Sequence, residues 1–66
     1  MTRGRVIVVD DHPLFRGALS TVLKSAFEHV EILEAGSMDE LSALLSMHTD
    51  VELILLDLSI PGVFGL

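Results

Sequence analysis

The sequence contains no cysteine, no tryptophan and no tyrosine among its 66 residues. Without cysteine, a disulfide framework and a cysteine-ligated zinc site are both excluded. Positive charge is also scarce: 4 Lys+Arg stand against 10 Asp+Glu, which gives a formal net charge of −6. That balance argues against a surface that binds nucleic-acid phosphates.

Long hydrophobic runs are missing as well. No apolar stretch approaches the ~20 residues of a membrane-spanning helix. The first five residues, MTRGR, lead into a strand-like run rather than into the apolar core of a signal peptide. We therefore expect a cytoplasmic chain that binds neither membrane nor nucleic acid by itself.

Apolar residues, by contrast, make up 50% of the chain, and the mean hydropathy is +0.61. Such a composition is not that of a disordered segment. A chain of this size buries only about 60% of the surface that it exposes when unfolded. We therefore expect it to need either very close packing or a partner that covers it.

Apolar periodicity divides the chain into alternating strands and helices. Continuous apolar runs predict strands over Val6–Val9 and Leu53–Leu56, and a further strand is predicted over Val30–Ala35. Between them, an apolar stripe from Leu14 to Phe27 predicts a helix that starts at Pro13 and packs this stripe into the core. A second helix should follow Ser37, which forms a capping box with the glutamate three residues later.

The resulting order is β-α-β-α-β. Right-handed crossovers then allow a parallel sheet with strand order 2-1-3 or 3-2-1. The first and third strands are the most apolar, so we expect them to be adjacent and central. This favours order 2-1-3, the beginning of a flavodoxin-like, doubly wound α/β fold.

Carboxylates follow both of the most apolar strands. Asp10 and Asp11 come after the first strand and Asp57 after the third. Parallel strands end at one edge of a sheet, where open α/β folds bind their ligands, so we expect the three acids to meet there. Crowded carboxylates favour a bound cation, and oxygen ligands in an open loop suit Mg²⁺. Such a carboxylate can also attack a phosphoryl group.

A more ordinary interpretation exists for each residue taken alone. A single aspartate at the end of a strand is usually a helix cap or a solvated turn residue. The pairing of two buried-type strands that both end in aspartate is what favours a functional site. His12, which follows the tandem acids, is expected to be an ordinary polar loop residue rather than a ligand.

Two segments carry a family resemblance that extends over the whole chain. Residues 6–16, VIVVDDHPLFR, and residues 54–62, ILLDLSIPG, resemble the receiver domains of two-component response regulators. The string DDHPLFR looks most similar to the subclass with a LuxR-type (LuxR/FixJ-type) helix-turn-helix output domain. The resemblance implies a CheY-like fold and a role in signalling rather than an enzymatic one.

The resemblance also implies roles for individual residues. Asp57 would be the phosphoacceptor, phosphorylated from the phosphohistidine of a sensor histidine kinase. Asp11 and Asp57 would ligate Mg²⁺ directly, together with the main-chain carbonyl of Ser59, while Asp10 would act mainly through a metal-bound water. The parent protein would be a DNA-binding transcriptional regulator.

Compared with a complete receiver, residues 1–66 correspond to an N-terminal part. Strand 4 with its Ser/Thr, strand 5 with its Lys and any output domain would lie outside it. The third strand would then be an apolar edge strand, which predicts self-association through this edge.

Three other interpretations stay open at this level. Haloacid-dehalogenase-type phosphatases also form an aspartyl phosphate, but they require the motif Asp-x-Asp after the first strand, where this sequence has Asp-Asp-His. Cobalamin-binding domains use Asp-x-His-x-x-Gly, and here Phe15 stands at the glycine position. The third is a truncated fragment that acts only as an interaction module, without phosphotransfer chemistry.

Overall fold

The computed structural model describes residues 4–57 and contains five elements in the predicted order. These are β1 (Arg5–Val9), α1 (Pro13–Ala26), β2 (Glu31–Ala35), α2 (Met38–Met47) and β3 (Val51–Leu56). The bounds differ from the prediction by one or two residues, most at β3, which begins two residues earlier. Ser59 and the rest of the segment after Asp57 lie outside the described residues.

The three strands form one parallel sheet with the order β2-β1-β3, which confirms the predicted topology and the α/β class. β1 is central because Val6–Val9 are buried on both faces, as continuous β-branched runs in parallel sheets usually are. The register between β1 and β3 shifts once: Arg5 pairs with Val51, but Val6 pairs with Leu53. Glu52 is therefore an extra residue at the amino end of β3.

Each face of the sheet carries one helix. On one face, Leu19 and Leu23 of α1 pack against a cluster formed by Val6, Val8 and Ile32. On the other face, α2 packs against a second cluster, whose buried members are Ile7, Val9, Ala35 and Leu41. The alternation of side chains along β1 therefore supplies both clusters. Within residues 4–57, neither helix is long and apolar enough to cross a membrane.

The prediction that the whole Leu14–Phe27 stripe of α1 lies in the core is wrong. Leu14 is 92% exposed, and Phe15 and Val22 are each 62% exposed. The reason is geometric, because α1 lies over β1 and β2 and turns only part of its wide apolar face towards them. Periodicity identifies an apolar face, whereas the neighbouring elements decide how much of it is covered.

The third strand is an edge strand, with β1 as its neighbour in the sheet that residues 4–57 form. Leu53 is 43% exposed, and Ile54 and Leu56 are each 37% exposed. Side chains on both of its faces are therefore partly open to solvent. The other edge strand, β2, carries Glu31 and Glu34, which are charged groups of the kind that protect sheet edges.

The start of α2 shows the predicted cap. The Ser37 side chain accepts a hydrogen bond from the backbone N–H of Glu40 at 3.1 Å. The Glu40 carboxylate reaches back to the backbone N–H of Gly36 at 2.7 Å, one residue before the position expected for a capping box. These two bonds hold the loop between β2 and α2.

Candidate functional site

Backbone hydrogen bonds bring the ends of the three strands together at the carboxyl edge of the sheet. The N–H of Asp57 donates to the carbonyl of Val9 at 2.9 Å, which joins the end of β3 to that of β1. The N–H of Asp10 donates to the carbonyl of Ala35 at 3.0 Å, which joins the end of β1 to that of β2. The residues that follow β1 and β3 therefore leave the sheet side by side.

Four side chains meet at this edge, and we call them the acidic cluster: Asp10, Asp11, His12 and Asp57. One ligand atom from each lies within 4.8 Å of the others. The structure thus brings together the three aspartates that the sequence placed at strand ends. Ser59, the fourth predicted ligand residue, lies outside the described part of the chain.

The three carboxylates differ in their access to solvent. The Asp10 side chain is 5% exposed, that of Asp57 24% and that of Asp11 42%. Asp10 is the most enclosed because it follows the central strand directly. The cluster is consequently open on the side of Asp11 and Asp57, where a ligand from solvent can reach it.

His12 also belongs to the cluster, although the sequence favours an ordinary polar loop residue at this position. Its backbone N–H donates to Oδ1 of Asp10 at 2.8 Å, and this turn brings the imidazole back over the carboxylates. Its Nδ1 lies 2.9 Å from Oδ1 of both Asp10 and Asp11, and 3.7 Å from Oδ2 of Asp57. The only sequence signal for this contact is that His12 directly follows two acids.

The imidazole of His12 lies beside negatively charged carboxylates, which change its pKa. The hydrogen bond to Asp10 and the nearby charge of Asp11 raise the pKa of His12 above its ordinary value, although the side chain is 67% exposed. Protonated His12 can donate from Nδ1 to the surrounding carboxylates. A positive charge therefore suits the centre of the cluster.

The donor set fits a hard divalent cation. Three carboxylates offer the oxygen ligands that Mg²⁺ prefers, and the exposure of Asp11 leaves room for bound water. The imidazole nitrogen is not a usual Mg²⁺ ligand. The residues that would hold the ion are therefore the three aspartates, with His12 adjacent to it.

Comparison with known proteins gives a family match over almost the whole chain. The family described as "Response regulator receiver domain" matches residues 6–66. No solved structure gives a significant match to this chain.

Individual relatives agree with this match. The chain is 42% identical to "Glycerol metabolism activator" of Pseudomonas putida, over 94% of this chain and 28% of that protein. It is 40% identical to "Nitrate/nitrite response regulator protein NarP" of Escherichia coli, again over 94% and 28%.

A third relative is "Protein-glutamate methylesterase/protein-glutamine glutaminase" of Agrobacterium fabrum, 40% identical over 94% of this chain and 17% of that protein. The chain therefore spans less than a third of the length of these relatives.

The fold, the acidic edge and the family match agree on one assignment. The parallel sheet of order β2-β1-β3 is that of a CheY-like receiver over its first three strands. The resemblance seen in residues 6–16 and 54–62 is confirmed by the match over residues 6–66. The chain belongs to the response regulator receiver domain family.

Proposed function

We propose that this receiver domain accepts a phosphoryl group on Asp57 from the phosphohistidine of a sensor histidine kinase, in the presence of Mg²⁺. The observation that carries the proposal is the acidic cluster. In it, Asp10, Asp11 and Asp57 each have a carboxylate oxygen within 4.8 Å of the others. The cluster stands at the edge where open α/β sheets bind their ligands. The family match supports a phosphoacceptor role.

The proposed step exchanges one bond to phosphorus for another. A carboxylate oxygen of Asp57 attacks the phosphorus atom, and the bond between phosphorus and the histidine nitrogen breaks. The electron pair stays on the histidine nitrogen, where a proton from solvent completes a neutral imidazole, and Asp57 becomes an acyl phosphate. Asp57 suits this role because it is 24% exposed and therefore accessible to a donor.

Mg²⁺ would neutralise the charge that develops on the transferring phosphoryl oxygens. We propose that Asp11 and Asp57 bind the ion directly, with the main-chain carbonyl of Ser59 as a further ligand. Asp10 would act mainly through a metal-bound water, which agrees with its buried position. Its Oδ1 already accepts from the backbone N–H of His12 at 2.8 Å.

The test is phosphorylation of the purified chain by acetyl phosphate and Mg²⁺, followed by mass spectrometry. We expect one phosphoryl group on the wild type and none on Asp57→Asn. The matched control is Asp39→Asn, an equal change at an exposed acid in the first turn of α2. Labelling of Asp57→Asn to the wild-type extent would refute the proposal.

The metal is tested separately by titration with Mg²⁺. Asp11→Asn should weaken binding by at least about tenfold, since it removes a direct ligand and its charge. Binding that is unchanged in this variant would exclude Asp11 as a ligand. If labelling fails while Mg²⁺ still binds, the domain is a metal site without phosphotransfer.

The proposed partner is a sensor histidine kinase. Leu14 and Phe15 support it, because they form an exposed apolar surface in the first turn of α1, directly after the acidic cluster. With any phosphorylated kinase that labels the wild type, Leu14→Asp should slow transfer but leave labelling by acetyl phosphate unchanged. Met47→Asp, at the far end of α2, is the control. Equal slowing by both variants would contradict docking at Leu14.

A second copy of the chain is the other proposed partner. The apolar edge strand β3 supports this, since a strand with exposed apolar faces pairs readily with another. β2 is the less suitable edge because it carries Glu31 and Glu34. Light scattering at micromolar concentration should show a dimer or larger species that Ile54→Lys converts to monomer. A monomeric wild type with a cooperative melt would rule this out.

For the whole protein we propose a cytoplasmic transcriptional regulator whose DNA-binding region lies outside these 66 residues. Two relatives, which are named as an activator and a response regulator, support it. The net charge of −6 supports a receiver that does not bind DNA itself.

We also propose that the receiver signals and is not itself an enzyme. The methylesterase relative attaches a receiver to a much longer chain.

A further inference from the structure

Arg16 makes three contacts that converge behind the acidic cluster. Its Nε donates to Oε1 of Glu34 at 2.9 Å, and its Nη1 donates to the main-chain carbonyl of Asp10 at 2.8 Å. Its backbone N–H donates to the carbonyl of His12 at 2.9 Å in the first turn of α1. One residue thus ties the start of α1 to β2 and to the end of β1.

The contact with Asp10 bears on the direction in which the chain leaves β1. The carbonyl of Asp10 and the N–H of Asp11 belong to one planar peptide group. A hydrogen bond that fixes the carbonyl therefore fixes the orientation of this peptide, from which Asp11 continues. The Asp10 N–H is fixed as well, by the carbonyl of Ala35. Arg16 completes the restraint on the backbone that carries two of the three carboxylates.

Gly36 provides the space that the guanidinium occupies. A Cβ added at Gly36 would lie 2.9 Å from Nη1 of Arg16 and 3.5 Å from Oε1 of Glu40. Any side chain at position 36 would therefore push the guanidinium away from its acceptors. The arginine side chain is 21% exposed, so it lies against the protein rather than extended into solvent.

We propose that Arg16 is a positioning residue of the cation site, which acts by holding the Asp10–Asp11 peptide and touches neither the ion nor the phosphoryl group. This inference rests on the proposed function, because it assumes that the acidic cluster binds Mg²⁺. Metal sites commonly depend on such outer contacts, and their loss typically weakens binding by about 10–100-fold.

The charge of Arg16 and its positioning role predict opposite changes in Mg²⁺ affinity when Arg16 is replaced. Arg16 is a cation close to a site for a cation, so its charge alone opposes the binding of Mg²⁺. If charge were its only effect, Arg16→Gln would bind Mg²⁺ more tightly than the wild type. If Arg16 positions the carboxylates, the same variant binds more weakly, by about tenfold.

The experiment measures Mg²⁺ affinity by calorimetry in Arg16→Gln, Arg16→Lys and Gly36→Ala. Arg16→Lys should recover only part of the affinity, because an ammonium cannot match the planar, two-sided donation of a guanidinium. Gly36→Ala displaces the guanidinium without any change of charge and should weaken binding in the same direction as Arg16→Gln. Arg5→Gln, at the opposite edge of the sheet, is the control and should bind as the wild type does.

A second readout uses the metal-free protein. Hydrogen exchange of the His12 amide reports on the turn that Arg16 supports, because this amide donates to Asp10. It should become about tenfold faster in Arg16→Gln, with no such change in Arg5→Gln. An unchanged exchange rate, or Mg²⁺ binding as tight as in the wild type, would overturn the positioning role. A wild type that binds no Mg²⁺ would instead refute the proposed metal site, while the exchange rate still decides on Arg16.

Discussion

The Nε of Arg5 donates to Oε1 of Glu31 over 2.6 Å and so joins the amino end of the central strand to its neighbour β2. The same guanidinium bonds through Nη1 to the carboxylate of Asp50, just before β3. Its strand partners are Glu31 on one side and Val51 on the other. Arg5 therefore links all three strands at the edge opposite the acidic cluster.

The first prediction concerns acid titration at this edge. The hydrogen bond from Arg5 lowers the pKa of the Asp50 carboxyl below its ordinary value. A lowered folded-state pKa means that the contribution to stability is complete above the unfolded pKa, near 4, and is lost as the pH falls through the folded value. NMR titration should place the Asp50 transition lower than in the unfolded chain.

Arg5→Gln should move the Asp50 transition back up towards its ordinary range. Lys24→Gln removes a cation from the last turn of α1 and should leave the transition where it was. If both variants moved it equally, the cause would be net charge rather than the Arg5 contact.

The second prediction concerns which residues of α1 pack against the sheet. Leu14 is 92% exposed, whereas Leu23, on the same helix, packs against the cluster around Val8. Leu23→Ala should cost about 2 kcal/mol of unfolding free energy. Leu14→Ala should change it by less than about 0.5 kcal/mol. Urea denaturation measures both, and equal losses would mean that Leu14 is covered in solution.

The third prediction concerns a buried hydroxyl. Ser20 is 1% exposed, and its Oγ has no hydrogen-bond partner within the described part of the chain. Because a buried unsatisfied group costs free energy, Ser20→Ala should stabilise the protein by about 1 kcal/mol. Ser25→Ala on the exposed side of α1 brings the same gain in helix propensity, so the difference between the two variants isolates burial. Destabilisation by Ser20→Ala would show that its hydroxyl is satisfied.

The fourth prediction concerns the cap of α2. Ser37→Ala removes the acceptor for the Glu40 N–H and should lower the unfolding free energy by about 1 kcal/mol. Ser42, an exposed residue within α2, gives the control Ser42→Ala, which should be neutral or slightly stabilising. Thermal melts followed by circular dichroism measure the difference. A Ser37→Ala melt that matches that of Ser42→Ala would exclude a contribution from the cap.

The sheet and the meeting of the acids could be predicted because both depend on simple rules. Apolar runs ending in Asp10 and Asp57 indicate buried parallel strands, and parallel strands bring their carboxyl ends to one edge. The exposure of Leu14 could not be predicted, since periodicity does not show which part of an apolar helix face is covered by other elements. The contacts of His12 with the carboxylates could not be predicted, because they depend on a turn in three dimensions and not on spacing in the sequence.

The extra residue Glu52 in β3 has a consequence at the far end of the strand. If the pairing of Arg5 with Val51 continued without interruption, Val9 would stand opposite Leu55, and Asp57 would follow opposite Asp11. The extra residue shifts this phase by one, so that Leu56 pairs with Val9 and Asp57 follows opposite Asp10. A shift of one residue reverses the face of every later side chain. A strand that kept Glu52 but paired it with Val6 would therefore turn Asp57 away from the cluster, whereas deletion of Glu52 would leave Asp57 opposite Asp10.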